Sequence, residues 1–207
     1  MATIVGICGL VLAGFAVCLL APFAVAILNQ NIALIEGLGL FALGYALVAA
    51  LVVLALRSRI SRMDRGQMFT MVCFVWATMV AAAALPIFVI ENNGFVPALF
   101  DAASASTSLG NTFFDPQTIS TPMKAYRAVV AWYGGLLTLS LIVYVMSPFR
   151  VGGIPNRDLR FVLHGSAFGD ARLYKTLSEI VTPYAILTLT CLLLLLAVGA
   201  RPLDAFL

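Results

Sequence analysis

The sequence predicts an all-α integral membrane protein with five transmembrane helices, and two observations lead to this fold class. Apolar residues make up 62% of the 207 residues and charged residues only 10%, whereas about a quarter of an ordinary soluble domain is charged. Five uncharged runs are also about as long as the roughly 20 residues that a helix needs to cross hydrocarbon. These runs are residues 2–28, 37–56, 66–90, 128–149 and 180–200.

Each run has features of a membrane-spanning helix. The first run lacks a basic N-terminal region and is too long for a signal peptide, so it is interpreted as a span. Pro22 and Pro183 lie inside the first and fifth runs. A proline in a helix interior removes one hydrogen bond, so kinks are predicted at both positions.

The basic residues predict the orientation of the spans. The segment 57–65 carries four arginines, and the segment 150–175 carries five further basic residues. Both segments lie on the same side of a five-span protein, and basic loops face the cytoplasm. The N-terminus is therefore predicted in the cytoplasm and the C-terminus outside it. The arginines serve mainly as topology signals, with contact to anionic lipids as a secondary role.

A sixth apolar stretch, residues 102–114, is too short to cross a bilayer and is rich in Ser, Thr, Ala and Gly. Two interpretations remain open from the pattern alone. The stretch is either an extramembrane amphipathic segment or a re-entrant pore helix with its following loop. Non-helical backbone at membrane depth is tolerated only where protein or a water-filled cavity surrounds it.

The chemistry-bearing residues do not indicate an enzyme. The chain has no Gly-x-Ser-x-Gly elbow, no Walker loop and no His-Glu-x-x-His helix. His164 is the only histidine and has no cysteine or carboxylate at ligand spacing, so no metal site is predicted. The four cysteines lie inside apolar runs without a Cys-x-x-Cys pair and are interpreted as packed thiols. Twelve scattered basic residues do not form a nucleic-acid stripe.

An ordered set of short motifs points to a family. The set comprises Ala-Leu-Pro-Ile-Phe at 84–88, Phe-Asp-Ala-Ala-Ser-Ala-Ser-Thr-Ser-Leu-Gly at 100–110, Tyr-Arg at 126–127, Trp-Tyr-Gly-Gly at 132–135 and Pro-Phe-Arg-Val-Gly-Gly at 148–153. In order and spacing these motifs resemble the TrkH/KtrB superfamily of potassium transporters. The segment 199–206 is similar to the family's entry into its second pore segment.

The resemblance implies the N-terminal half of such a transporter, with a degenerate first selectivity filter. Residues 1–65 would be a leading two-helix pair with a cytoplasmic arginine-rich loop. Residues 66–153 would be a potassium-channel-like helix/pore-loop/helix repeat, which makes the sixth stretch one re-entrant pore segment. Residues 154–207 would be a cytoplasmic loop and the first helix of an incomplete second repeat.

The same resemblance implies the candidate site residues. The ion pathway would be lined by the degenerate filter, and the pore helix would be supported from its own sequence and from span four. Asp101 is expected to cap the pore helix, and Arg127 either lies near the pore segment or snorkels at the interface. The filter residues are Thr107, Ser108, Leu109 and Gly110, and the supporting residues are Asp101, Ser104, Arg127, Gly134 and Gly135.

Two departures from the family pattern affect the function. The family builds its pore from four repeats, and this sequence carries one filter segment, or one quarter of a ring. Within that filter, Ala105 stands where the family has a glycine, and Leu109 replaces a threonine. A leucine beside the ion path would occlude it or force the loop to repack.

Two functions follow from the resemblance and its departures. The first is a component of a potassium or cation transport system that needs a second chain to complete the pore. The alternative is a non-conducting structural subunit of a larger bacterial membrane complex, respiratory or photosynthetic. The expected partners are membrane lipids and another membrane chain, which is a second transporter half, a copy of this chain or a larger complex. No cofactor is predicted beyond bound lipids, K⁺ would be the ion if the chain conducts, and the location is the bacterial inner membrane.

Overall fold

The computed structural model describes residues 1–56, 65–92, 94–114, 119–146, 171–201 and 205. Within these ranges the secondary structure is helical and contains no strand. Most of the arginine-rich loop, the motif at 148–153, His164 and most of 202–207 lie outside them. The helices are α1 (Ala2–Cys18), α2 (Leu20–Leu28), α3 (Ile32–Leu56), α4 (Arg65–Glu91), α5 (Phe95–Ser106), α6 (Thr121–Met146) and α7 (Ala171–Ala197).

Five helical segments in the described ranges are long and apolar enough to cross a membrane, which confirms the prediction of five spans. Span one consists of α1 and α2, and spans two to five are α3, α4, α6 and α7. The apolar stretches of these spans are Ala2–Leu28, Ile32–Leu56, Gly66–Glu91, Thr121–Val143 and Glu179–Ala197.

Several helix limits differ from the limits of the uncharged runs. α3 begins at Ile32 rather than at residue 37, because the Asn31 side chain caps it by accepting the Leu34 N–H at 3.2 Å. α6 begins at Thr121 rather than at residue 128, with Pro122 in its first turn, where a missing N–H costs no helical hydrogen bond. α7 begins before residue 180 and ends before residue 200.

The two prolines in the outer spans have different consequences. α1 and α2 are separated at Leu19, shortly before Pro22, which has no N–H to donate to the carbonyl of Cys18. α7 continues through Pro183. The helix is thus interrupted at Leu19, near Pro22, whereas α7 has no such interruption, and the kinks at both positions stay predictions.

Phe15 lies at the centre of an aromatic core that joins spans one to four. Its ring is fully buried and packs against Tyr45, Tyr126 and Tyr133, with centroid distances of 5.8, 6.4 and 5.9 Å. Each tyrosine hydroxyl donates a hydrogen bond to a backbone carbonyl of another helix, and the Tyr133 bond to Val11 measures 2.8 Å. The core therefore combines apolar packing with polar contacts that fix the relative register of the spans.

Two of these hydroxyls satisfy carbonyls beside Pro86 in α4. Pro86 cannot donate to the carbonyl four residues earlier, which is that of Ala82. The Tyr45 hydroxyl donates to this carbonyl at 2.7 Å, and the Tyr126 hydroxyl donates to the next carbonyl, that of Ala83, also at 2.7 Å. Because lipid offers no hydrogen bonds, neighbouring helices must supply partners for backbone groups that a proline leaves free.

We expect Tyr45→Phe to destabilise the protein by about 1–3 kcal/mol, because it leaves the Ala82 carbonyl buried without this partner. In a Pro86→Ala background residue 86 regains its N–H, and the same change should cost well under 1 kcal/mol. Unfolding in mixed micelles, followed by tryptophan fluorescence, measures this double-mutant cycle.

Tyr133→Phe provides the matched control for this cycle. Its acceptor, the Val11 carbonyl, lies on α1 and has Phe15 rather than a proline four residues later. Its coupling to Pro86→Ala should be close to zero. Equal coupling for Tyr45 and Tyr133 would contradict the assignment of Tyr45 to the carbonyl that Pro86 leaves free.

Candidate functional site

The pore helix α5 runs beside α6 and in the same direction. Arg127 of α6 pairs with Asp101 of α5, and further along both helices Gly134 lies against the Ser106 carbonyl. With 1.5 Å of rise per residue, Gly134 lies about 20 Å from Thr121 along α6. The membrane span of α6 is Thr121–Val143, and Gly134 lies near the middle of it, so α5 ends near the middle of the membrane.

This geometry decides between the two interpretations of the sixth stretch. α5 follows the end of α4, descends to mid-depth, and the chain returns to begin α6 on the same side. The segment is therefore re-entrant, and the extramembrane alternative is wrong. The helix also begins at Phe95, before the predicted stretch 102–114, and ends at Ser106.

The end of α5 is closed by a Schellman motif, in which two amides bond back to carbonyls of the last turn. The Leu109 N–H donates to the Ser104 carbonyl and the Ser108 N–H to the Ala105 carbonyl, both at 2.9 Å. Ser108 takes the left-handed position usually held by glycine, with φ of 57°. Its hydroxyl donates to the Ala131 carbonyl of α6 at 3.3 Å, which ties the turn to that helix.

The remaining filter residues, Thr107, Leu109 and Gly110, are exposed at this turn. Gly110 has φ of 78°, the left-handed backbone expected of it. The Thr107 hydroxyl donates to the Ala103 carbonyl at 2.8 Å, so its proton is directed to the helix rather than away from it. Leu109 is 67% exposed and has not repacked into the fold. Ala105, which stands where the family has a glycine, is buried within α5, and the helix ends only at Ser106.

Asp101 does not have the capping role expected from the sequence. The N-cap position of α5 is Gly94, and Asp101 lies in the middle of the helix, 1% exposed. One of its carboxylate oxygens accepts from the Arg127 guanidinium, whose other nitrogen lies 3.5 Å from the Asn111 carbonyl. Arg127 thus connects the pore helix to the returning loop.

Three polar atoms of the pore helix are buried without a protein hydrogen bond among the described residues. They are the second carboxylate oxygen of Asp101 and the hydroxyls of Ser104 and Ser106. The Ser104 carbonyl, in contrast, accepts both the Leu109 N–H and the Thr107 hydroxyl, at 2.9 and 3.2 Å. Ser104 therefore contributes to the filter turn through its backbone.

Four consecutive residues of α6, at 132–135, contact the neighbouring helices α1, α5 and α7. The Trp132 indole N–H donates to the Thr188 hydroxyl of α7 at 3.0 Å, and Tyr133 bonds to α1. A Cβ on Gly134 would lie 2.0 Å from the Ser106 carbonyl oxygen, and one on Gly135 would lie 2.6 Å from the Tyr184 hydroxyl. This Trp-Tyr-Gly-Gly segment is called the α6 notch below.

Sequence reasoning did not single out Tyr184 or Thr188 of α7. The Tyr184 hydroxyl donates to the Trp132 carbonyl at 3.0 Å, and the two rings pack with centroids 5.4 Å apart. One available signal was the pair of polar residues four positions apart in an otherwise apolar helix, a spacing that places both on one helical face. Among the described residues there is no group of three or more histidine, cysteine or carboxylate side chains that could hold a metal ion.

The turn and loop after α5 have an unusual environment for mid-membrane backbone. Residues 107–111 are all exposed, although Ser108 and Ser106 contact α6 near half the bilayer depth. Irregular backbone at this depth cannot face lipid, because its polar groups would lack partners. This surface therefore requires coverage by further protein or by water.

Comparison with known proteins confirms the family resemblance, although no family model matches the chain. The Trk system potassium uptake protein TrkH of Vibrio parahaemolyticus is 25% identical over 215 aligned positions, covering 98% of this chain and 42% of the relative. The Trk system potassium uptake protein TrkI of Halomonas elongata is 27% identical over 90 positions, covering 42% of this chain and 18% of the relative. The chain thus spans about two fifths of the length of the TrkH relative, in agreement with an N-terminal half.

The fold is also that of a solved structure. The crystal structure of the potassium transporter TrkH from Vibrio parahaemolyticus matches with a TM-score of 0.80 and 24% identity, covering 99% of this chain and 41% of that one. The relatives are uptake proteins rather than enzymes, which agrees with the predicted lack of enzymatic activity.

Proposed function

We propose that this chain, a homologue of TrkH-type potassium uptake proteins along nearly its whole length, is a membrane subunit of a potassium transport system whose pore is completed by a second chain. The single observation that carries the proposal is the re-entrant segment, whose exposed backbone at 107–111 lies near the middle of the membrane. An ion that leaves water needs a ring of oxygen ligands there, and one segment supplies only part of such a ring.

The proposal extends to the organisation and location of the chain. Residues 1–65 act as the leading pair, residues 66–153 as the pore repeat, and residues 154–207 as the start of a second repeat. The chain lies in a bacterial inner membrane with its N-terminus in the cytoplasm, because the basic residues then face inward. Potassium is the proposed ion, and lipids cover the apolar faces of the outer spans.

One observation favours a second candidate function, a non-conducting structural subunit of a larger membrane complex. Leu109 projects from the filter turn with 67% of its surface exposed. An apolar side chain beside an ion path offers no ligand and creates a barrier to a hydrated ion. In this second function the same surface serves only to pack against a partner chain.

Purification of the tagged chain from its native membranes separates these two functions. Mass spectrometry of the intact assembly identifies the partner, and both chains are then expressed in bacteria that lack potassium uptake. Rescue of growth at low potassium that requires both chains supports the transporter. A partner from a respiratory or photosynthetic complex, with no rescue, contradicts it in favour of the structural subunit.

In the rescued strain we expect Leu109→Thr to raise potassium flux about tenfold, which corresponds to a barrier lower by ~1.4 kcal/mol. The threonine hydroxyl supplies an oxygen where leucine supplies none. Uptake of radioactive rubidium or potassium measures the effect. Leu40→Thr is the control, because Leu40 is 70% exposed on α3, away from the filter. Equal flux with Leu109 and with Thr at this position would argue against an ion path along the segment.

A further inference from the structure

Span five packs against the other helices over a small part of its surface. No residue from Glu179 to Ala197 is buried. Among the described side chains, the hydrogen bonds between α7 and α6 both involve Trp132, whose indole donates to Thr188 and whose carbonyl accepts from Tyr184. Together with the packing of the Trp132 and Tyr184 rings, these bonds hold α7 to α6 at the α6 notch.

The filter turn is attached to α6 at the residue that directly precedes this notch. The Ser108 hydroxyl bonds to the Ala131 carbonyl, and the Tyr184 hydroxyl bonds to the adjacent carbonyl of Trp132. A Cβ on Gly135 would lie 2.6 Å from the Tyr184 oxygen and 4.0 Å from the Ser108 oxygen. The two hydroxyl groups therefore flank Gly135, one from span five and one from the filter.

Ser108 is the residue of the turn that is most sensitive to its surroundings. A left-handed conformation is unfavourable for a non-glycine residue, so it persists only where neighbouring contacts hold it. These contacts are the two amide bonds of the Schellman motif and the bond to Ala131. A small shift of α6 at Ala131 and Trp132 would weaken the bond from the Ser108 hydroxyl to Ala131, and Ser108 would then be held less firmly in its left-handed conformation.

We propose that Tyr184 is a positioning residue for the filter turn, acting through the Trp132 carbonyl and the α6 notch. The inference rests on the proposed function for its consequence for ion flux. The positioning itself is a property of the chain, and an experiment without ion flux tests it.

Amide hydrogen exchange of the full chain in lipid nanodiscs, with any partner that co-purifies, is the test. The amides of Thr107, Ser108 and Leu109 are bonded to the last turn of α5, so their exchange reports how often the turn opens. Tyr184→Phe keeps the ring and removes the hydroxyl. We expect exchange at these amides to become about fivefold faster, as for the loss of one ordinary hydrogen bond.

Two further variants make the test independent of general destabilisation. Thr188→Val removes the acceptor of the Trp132 indole and should accelerate the same amides. Thr190→Val is the matched control, because its hydroxyl bonds to the Ile186 carbonyl within α7, and it should leave them unchanged. Unchanged exchange at 107–109 in both test variants overturns the inference, and so does equal acceleration in α1 and α3. Faster exchange with no potassium uptake by the assembly supports the positioning role and counts against the proposed transport.

Discussion

Gly134→Ala is expected to displace the pore helix and to destabilise the protein by about 1–3 kcal/mol or more. A Cβ at this position would lie 2.0 Å from the carbonyl oxygen of Ser106 and 2.8 Å from its carbonyl carbon. Both atoms belong to the backbone at the end of α5, so no side-chain rotation can relieve the overlap. The helix and its filter turn must move away from α6.

Two other glycines provide graded controls. At Gly135 the nearest atom is the Tyr184 hydroxyl, 2.6 Å from the Cβ position, and this side-chain end can shift at a smaller cost. At Gly44 no atom lies within 4 Å, so alanine should be neutral or stabilising by up to about 1 kcal/mol through its higher helix propensity. The predicted order of destabilisation is Gly134, then Gly135, then Gly44.

Unfolding in mixed micelles measures the three variants, and hydrogen exchange at 104–110 locates the change. Gly134→Ala should accelerate exchange at the end of α5, whereas Gly44→Ala should not. If the Gly134→Ala protein is as stable as the Gly44→Ala protein, and if exchange at 104–110 stays slow, then the end of α5 does not pack closely against Gly134 of α6. The predicted effect concerns the packing of α5 and its filter turn against α6, so it applies to both proposed functions.

The spans could be predicted from the sequence because the cost of placing charge in hydrocarbon leaves long uncharged runs. The same criterion misplaced three helix starts. Glu36, Arg127 and Glu179 ended the uncharged runs, but α3, α6 and α7 extend past these residues. Arg127 is tolerated there because Asp101 of the pore helix pairs with it. That contact joins residues far apart in the chain, so local composition does not reveal it.

The start of the pore helix was missed for a related reason. Its first half carries apolar residues that remain exposed, including Phe95 and Val96, so no amphipathic pattern marks it. Gly94 followed by Pro97 was the available signal, since proline is tolerated in a first helical turn. The left-handed conformation of Ser108 could not be predicted, because serine rarely adopts it without contacts such as its bond to the Ala131 carbonyl of α6.

The tyrosine contacts illustrate what sequence reasoning leaves out. Pro86 was part of the motif that suggested the family, yet the residues that satisfy the carbonyls beside it lie on spans two and four. Tyr45 and Tyr126 have no local signature of this role. The motif is thus maintained by packing partners that only the folded chain brings together.

Arg127→Gln is expected to destabilise the protein by about 3–5 kcal/mol, because it leaves a buried carboxylate without its cation. Asp101 is 1% exposed, and its second oxygen already lacks a protein partner among the described residues. The Arg127 side chain is more accessible, at 15% exposure, and lies about 9 Å along α6 from Thr121. Its charge can therefore reach the interface, whereas the carboxylate cannot.

This asymmetry makes the pair testable by rescue. Asp101→Asn alone should cost clearly less than Arg127→Gln, because the freed guanidinium can snorkel to water. The double variant, Asp101→Asn with Arg127→Gln, should recover most of the lost stability, because no buried charge remains. Lys124→Gln is the control for loss of a positive charge from the same helix and should change stability by about 0.5 kcal/mol or less.

Unfolding in mixed micelles gives the four stabilities, and hydrogen exchange at Asn111 reports the returning loop. If Arg127→Gln and Asp101→Asn cost the same and the double variant equals their sum, the two residues act independently and the ion pair does not support the pore helix. Recovery of stability in the double variant would show that Arg127→Gln destabilises the protein through the unpaired buried charge of Asp101 rather than through the changed shape of either side chain. The loop at Asn111 should then remain more exposed to exchange than in the natural chain, because only arginine extends towards its carbonyl.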